Sequence, residues 1–210
     1  SQAEQVIGVI AGGEKALQYA LEGAEDNVEM AVEDMKKINV NPKDVVVGIA
    51  ASGRTPYTLA AMKYAKSAGA TVAAITCTKN SEMEKEADYP IVVLTGPEVV
   101  AGSTRMKAGT AQKLVLNMLT TASMIRIGKV YSNLMVDVVP TNEKLIMRAK
   151  NIIVELTNAS EAEAEEALKT YQSAKAAIFS LITGLTGEKV FEVLRQHKGH
   201  LRSAIESQLK

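Results

Sequence analysis

The chain has 210 residues, and its 24 basic and 24 acidic side chains cancel. Hydrophobic residues make up 47% and charged residues 23%, globular values that exclude a disordered tail. The zero net charge argues against a nucleic-acid binder, no apolar run reaches the length of a membrane span, and the single cysteine, Cys77, excludes an intrachain disulfide framework.

Short β-branched runs alternate with helical patterns along the first part of the chain. Val6 to Ile10 reads as a strand, stopped by Gly12 and Gly13. Residues 14–37 read as helix, with a break near Gly23. Asp44 to Ala50 is a second strand, and Pro56 suits the first turn of the helix that follows. Thr71 to Thr76 is a third strand, residues 81–87 a short charged helix, and Tyr89 to Leu94 a fourth strand. A long helix is expected from about Thr104 to Ile127. Strands apolar on both faces and separated by helices predict a parallel sheet covered by helices. Ligands of such sheets sit beyond the carboxyl ends of the strands. The loops after Ile10, Ala50, Thr76 and Leu94 are therefore the ones to read for chemistry. After about Thr141 no strand signal remains, and short helices broken at Gly184, Gly187 and Gly199 follow. The expected division is a sheet domain over 1–157 and a small helical domain over 158–210.

Three features could carry chemistry. The turn from Gly48 to Pro56 joins a buried strand to a helix start, where free backbone N–H groups attract an anion. Ser52 and Thr55 add hydroxyls there, and Gly53 admits a ligand close to the backbone. The bland alternative is an ordinary turn with Ser52 or Thr55 as helix cap. The loop from Gly96 to Lys113 also opens a helix. In it Ser103 and Thr104 could cap, Arg105 and Lys107 bring positive charge, and Glu98 stands as an unpaired acid; a well-capped helix with solvated basic residues is the plain reading, and by local sequence alone the favoured one. Glu22, Glu25, Asp26 and Glu29 are spaced to share one helix stripe, where crowding raises a carboxyl pKa toward acid–base use. A solvated acidic face is the plain alternative. His197 and His200 lack further ligands for a metal. Cys77 has no neighbour to activate it. The methionines at 106, 118, 124 and 135 read as core filler.

Together, Glu22 to Asp26, Gly48 to Tyr57, Gly102 to Met118 and Asn133 to Val138 resemble the bacterial N-acetylmuramic acid 6-phosphate etherases. The resemblance implies an α/β fold, a parallel-sheet three-layer sandwich of the SIS, flavodoxin-like type, with a small helical C-terminal domain. It implies a cytoplasmic lyase, a homodimer, that removes D-lactate from a phosphorylated amino sugar without metal or organic cofactor. It matches Glu25 to the catalytic base and Ser52, Gly53, Arg54 and Thr55 to the sugar-phosphate loop. Glu98, Ser103 and Lys107 are expected at the sugar. No nucleic acid or membrane partner is implied. Family members carry a further stretch ahead of the point matching Ser1, with a second catalytic glutamate. The expectation is that the 210-residue chain alone turns over poorly or not at all. A non-catalytic phosphosugar-binding module, a sugar-phosphate isomerase on the same fold and a helical docking protein remain alternatives.

Overall fold

The computed structural model describes residues 5–209. Contacts divide the chain into two compact units, the first running through Asn117 and the second starting at Met118, so the division falls inside one long helix.

In the first unit, β1 (Val45–Ile49), β2 (Thr71–Thr76) and β3 (Tyr89–Val92) form a parallel sheet in that order. Val46 pairs with Val72, and Ile75 with Ile91. Helix α1 (Val28–Lys37) begins where the Asn27 side chain accepts a hydrogen bond from the Met30 amide at 2.8 Å. Glu29 in its first turn and Lys36 and Lys37 in its last complement the helix dipole. Helix α2 (Pro56–Ser67) starts on Pro56, whose missing N–H costs nothing in the first turn. Ser81 caps α3 (Glu82–Glu86) by accepting from the Glu84 amide.

One face of the sheet packs on α2 and α3, with Val72 and Ala74 against Leu59, Met62, Ala65 and Met83. Gly48 is where α2 rests on β1: a Cβ there would run into the Met62 side chain. Helices α1 and α2 share a second small core of Ala31, Met35, Tyr57, Ala60 and Ala61. The Tyr57 hydroxyl donates to Asp34 at 2.7 Å, which ties the two helices together. Burial and this bond push the Tyr57 phenol well above its usual range.

Three expectations need correction in this unit. Val6 to Ile10 does not form a strand; Val6 is 71% and Ile7 55% exposed. A strand is made by its hydrogen-bonded neighbour as much as by β-branched residues, and none of the described residues pairs with this one. Residues 14–37 are not one helix with a single break. A 3-10 turn at Gly13–Leu17 and another at Ala24–Asp26 precede α1, each entered through a glycine at positive φ, Gly12 and Gly23. Glu22, Glu25, Asp26 and Glu29 consequently share no helix stripe. The methionines are not core either: Met106 is 60% and Met118 61% exposed, with Met135 also exposed and Met124 partly so.

The long helix α4 (Lys107–Arg126) starts three residues later than expected. In the second unit a hairpin of β4 (Val130–Tyr131) and β5 (Leu134–Met135) precedes α5 (Glu143–Thr157), α6 (Glu161–Tyr171), α7 (Ala174–Thr183), α8 (Glu188–Gln196) and α9 (Leu201–Gln208). Asn142, Ser160 and Ser173 cap α5, α6 and α7 with their side chains, and Ser160 forms a full capping box with Glu163. The core holds Val136, Ile153, Ile178, Phe179 and Val190, all fully buried. Beside it, Lys129 and Lys175 both bind the Asp137 carboxylate, Lys175 at 3.1 Å.

Candidate functional site

All the candidate residues lie in the first unit or at the start of α4. A groove of about 810 Å³ runs along β1 and is lined also by the loop that follows its carboxyl end. Glu25, Ser52, Thr55 and Thr104 all line it. The fold thus gathers residues far apart in sequence: Glu25 from the second 3-10 turn, Ser52 and Thr55 from the β1–α2 loop, and Thr104 from the approach to α4.

The β1–α2 loop is held by its backbone. The Gly53 amide donates to the Ala50 carbonyl at 3.1 Å, and the Gly53 carbonyl accepts from the Met83 amide at 3.0 Å. Gly53 is buried at φ +64, and a Cβ there would overlap the Ser81 side chain. Glycine is therefore required twice, for its backbone angle and for the close approach of α3. Ser52 Oγ accepts a long bond from the Arg54 amide at 3.4 Å. Thr55 is the N-cap of α2, yet its side chain makes no capping bond. The first-turn amides of α2 and the two hydroxyls are together suited to an anion such as a phosphate. Arg54 points elsewhere. It lines a shallower depression with Val28, Val32 and Pro56.

The Gly96–Lys113 loop departs from its reading. Glu98 is not unpaired. Its Oε2 accepts from the Lys107 amide at 3.1 Å and its Oε1 from the Ala108 amide at 3.0 Å, so it caps α4 from nine residues upstream. Those two amide bonds, first from Ala108 and then from Lys107, hold the Glu98 carboxyl below its ordinary range. Neither Ser103 nor Thr104 is the cap. Ser103 accepts only a 3.5 Å contact from the Arg105 amide. Lys107 turns its ammonium onto the Pro97 carbonyl at 2.9 Å. The sequence missed this capping role because an acid nine residues ahead of a helix carries no local signature. Burial, with the nearby Glu98 charge, pushes the Cys77 thiol up, away from reactivity. Among the described residues no three His, Cys, Asp or Glu side chains are placed to hold a metal ion.

The arrangement suits a small anionic ligand that meets a carboxylate. Helix-terminal amides and hydroxyls would take the anion, while exposed Glu25 on the same groove can take or give a proton. Known proteins agree with that class. The SIS domain matches residues 20–122, which contain the whole sheet and every candidate residue above. The N-acetylmuramic acid 6-phosphate etherase of Aliivibrio fischeri strain MJ11 is 55% identical over 209 residues, covering 99% of this chain and 70% of that protein. The etherase of Photobacterium profundum is 56% identical over 206 residues, with 98% and 68% covered. Etherase 1 of Vibrio cholerae O1 El Tor is 54% identical over 206 residues, with 98% and 69% covered. The chain belongs to the N-acetylmuramic acid 6-phosphate etherase family.

Proposed function

We propose that the chain carries the etherase site that converts N-acetylmuramic acid 6-phosphate to N-acetylglucosamine 6-phosphate and D-lactate. The observation that carries this reading is the single groove shared by Glu25, Ser52 and Thr55 at the end of β1. The phosphate sits on the first-turn amides of α2 and the Ser52 and Thr55 hydroxyls, with Gly53 giving the turn its shape. Glu98, Ser103 and Lys107 do not line the groove, so their place at the sugar rests on the family resemblance alone; Glu98 fixes the start of α4, and Arg54 lends positive charge from outside the groove. With the sugar ring open, the C1 aldehyde acidifies the C2 proton. Glu25 removes that proton, the electron pair expels the lactate oxygen from C3, and an acid protonates the departing oxygen. Water then adds across the new C2–C3 double bond, with its oxygen going to C3 and a proton returning to C2.

We place the enzyme in the cytoplasm, since a charged phosphosugar crosses no bilayer unaided. We also propose a homodimer. Leu114, Met118, Leu119 and Ile125 of α4 are all exposed, an apolar stretch of the kind that marks a protein interface. Among the described residues no helix is long and apolar enough to cross a membrane.

Deuterium exchange at C2 of the phosphosugar in heavy water tests the role of Glu25, and needs only the base. The chain is expected to exchange that proton, and Glu25→Gln to slow exchange by about 10²-fold or more while phosphosugar affinity stays. Unchanged exchange in Glu25→Gln removes Glu25 as the base. Exchange absent in the parent chain despite phosphosugar binding supports a binding module instead.

A further inference from the structure

One hydroxyl on the groove takes no part in holding the phosphate or moving the proton. The others, at Ser52, Thr55, Tyr57 and Thr58, all come from the β1–α2 loop and the first turn of α2. Thr104 comes from a different element, the loop that leads into α4. Its backbone is anchored, because its carbonyl accepts from the Gly109 amide at 3.0 Å. Its side chain is not. The helix cap expected of it is supplied by Glu98, and its hydroxyl bonds no other described residue. A fixed backbone that holds an uncommitted donor on a groove is suited to fixing the orientation of a ligand.

The substrate chemistry narrows which group Thr104 meets. N-acetylmuramic acid 6-phosphate carries its phosphate on C6 and its lactyl ether on C3, next to the C2 proton that Glu25 takes. With the phosphate at the start of α2, two groups beside the reacting carbons can use a hydroxyl donor. They are the neutral N-acetyl and the lactyl carboxylate. Charge decides between them. Residues 98–107 carry two cations, Arg105 and Lys107, against the single carboxylate of Glu98. Glu98 is engaged by the Lys107 and Ala108 amides, the Lys107 ammonium sits on the Pro97 carbonyl, and Arg105 has no carboxylate partner among the described residues. The loop is therefore net positive where Thr104 meets the groove, which favours an anion and does little for an amide.

We propose that Thr104 is a specificity residue whose hydroxyl donates to the lactyl carboxylate. Arg105 adds attraction from a distance, without contact. The groove then prefers a phosphosugar carrying the carboxylated ether to the same sugar without it. This role rests on the etherase reading and deepens it. The contact holds the substituent of C3 while C2 is deprotonated. It is lost once D-lactate has gone, so the product phosphosugar is held less tightly than the substrate.

N-acetylmuramitol 6-phosphate and N-acetylglucosaminitol 6-phosphate, the C1-reduced forms of substrate and product, test this by titration calorimetry. Neither has an aldehyde to acidify C2, so neither reacts, and they differ only in the lactyl ether. The 210-residue chain is expected to bind the muramitol at least about tenfold more tightly, the scale of one hydrogen bond to a charged group. Thr104→Val should abolish that preference and leave the glucosaminitol affinity within about twofold, which also shows that the variant is folded. Thr104→Ser keeps the hydroxyl and should keep most of the preference. A Thr104→Val chain that still prefers the muramitol overturns the proposal. So does one that loses affinity for both alditols alike, which would assign Thr104 to the phosphate or the N-acetyl group. Binding of both alditols by the parent chain without preference ends the role of Thr104 and leaves the phosphosugar site standing. Binding of neither counts against that site itself and overturns the proposal with it.

Discussion

The two units close their structures differently. The helical unit satisfies itself: Phe179, Ile178 and Ile153 are fully buried, and side chains cap α5, α6 and α7. The sheet unit is closed only where β2 is flanked and α2 and α3 pack, and is open along β1 and the Val6–Ile10 segment. Helices complete their own hydrogen bonds, so a helical core can finish within one stretch of sequence. A sheet edge needs another strand, so its stability depends on what lies beside it.

The largest expected effect sets the two regions against each other. Phe179→Ala removes a fully buried ring from the helical core and should cost about 3–5 kcal/mol. Ile7→Ala, at an exposed site of the open edge, should change stability by less than about 0.5 kcal/mol. Urea unfolding of the two variants measures both. A comparable loss for Ile7→Ala would show that the open edge is closed in solution.

Next comes the charged cluster of the helical unit. Burial would raise the Asp137 carboxyl, but the hydrogen bonds from Lys129 and Lys175 outweigh it and hold the group below its ordinary value. Lys175 is itself buried. Asp137→Ala leaves its ammonium without a carboxylate and should cost about 3 kcal/mol. Adding Lys175→Met should recover most of that loss, again read by denaturant unfolding. No recovery would mean that Asp137 acts through packing alone.

Gly48→Ala probes the closed side of the sheet unit. The new methyl meets Met62, already fully buried, and Thr58 at 3.1 Å. Overpacking of this kind costs about 2 kcal/mol. A thermal melt showing no loss would mean that α2 sits as loosely on β1 as the open edge suggests, and would erase the distinction between the two sides.

The sequence disclosed most where structure is locally determined. The valine run of β1, the Thr71–Thr76 run of β2 and the short charged helix near residues 81–87 are legible, because strand and helix propensity act within a few residues. The β1–α2 loop was legible for the same reason, and Ser52 and Thr55 do line the groove with Glu25. What failed was longer in range. Val6 to Ile10 has the composition of β1 but not its neighbour. Glu98 reads as a free acid because its partners, the Lys107 and Ala108 amides, face it only once the loop has folded back. The methionines count as core by hydrophobicity alone, which does not say which face of α4 is covered. Glu25 reaches the groove through a 3-10 turn rather than the helix stripe expected of it.

The smallest effect concerns pH, and it belongs to the surface of the helical unit. Glu165 accepts from Lys150 at 2.7 Å and lies 2.8 Å from the Lys169 ammonium. These two bonds, Lys150 first, hold its carboxyl down to about 2 from an ordinary 4.5. A depressed carboxyl pKa means that the unfolded chain takes up a proton before the folded one does. The stabilisation is thus complete above about 4.5 and is lost as pH falls from there toward about 2. The group is exposed, so the effect is small and salt weakens it. Lys150→Met with Lys169→Met should flatten the acid limb of the melting-temperature profile in that window and leave the neutral region nearly unchanged. A profile with the same acid slope would assign that slope to Asp137, whose lysines the double variant leaves intact. A surface pair and a half-buried cluster in one helical unit would then be separated by a single titration, as the open and closed sides of the sheet are separated by Ile7→Ala and Gly48→Ala.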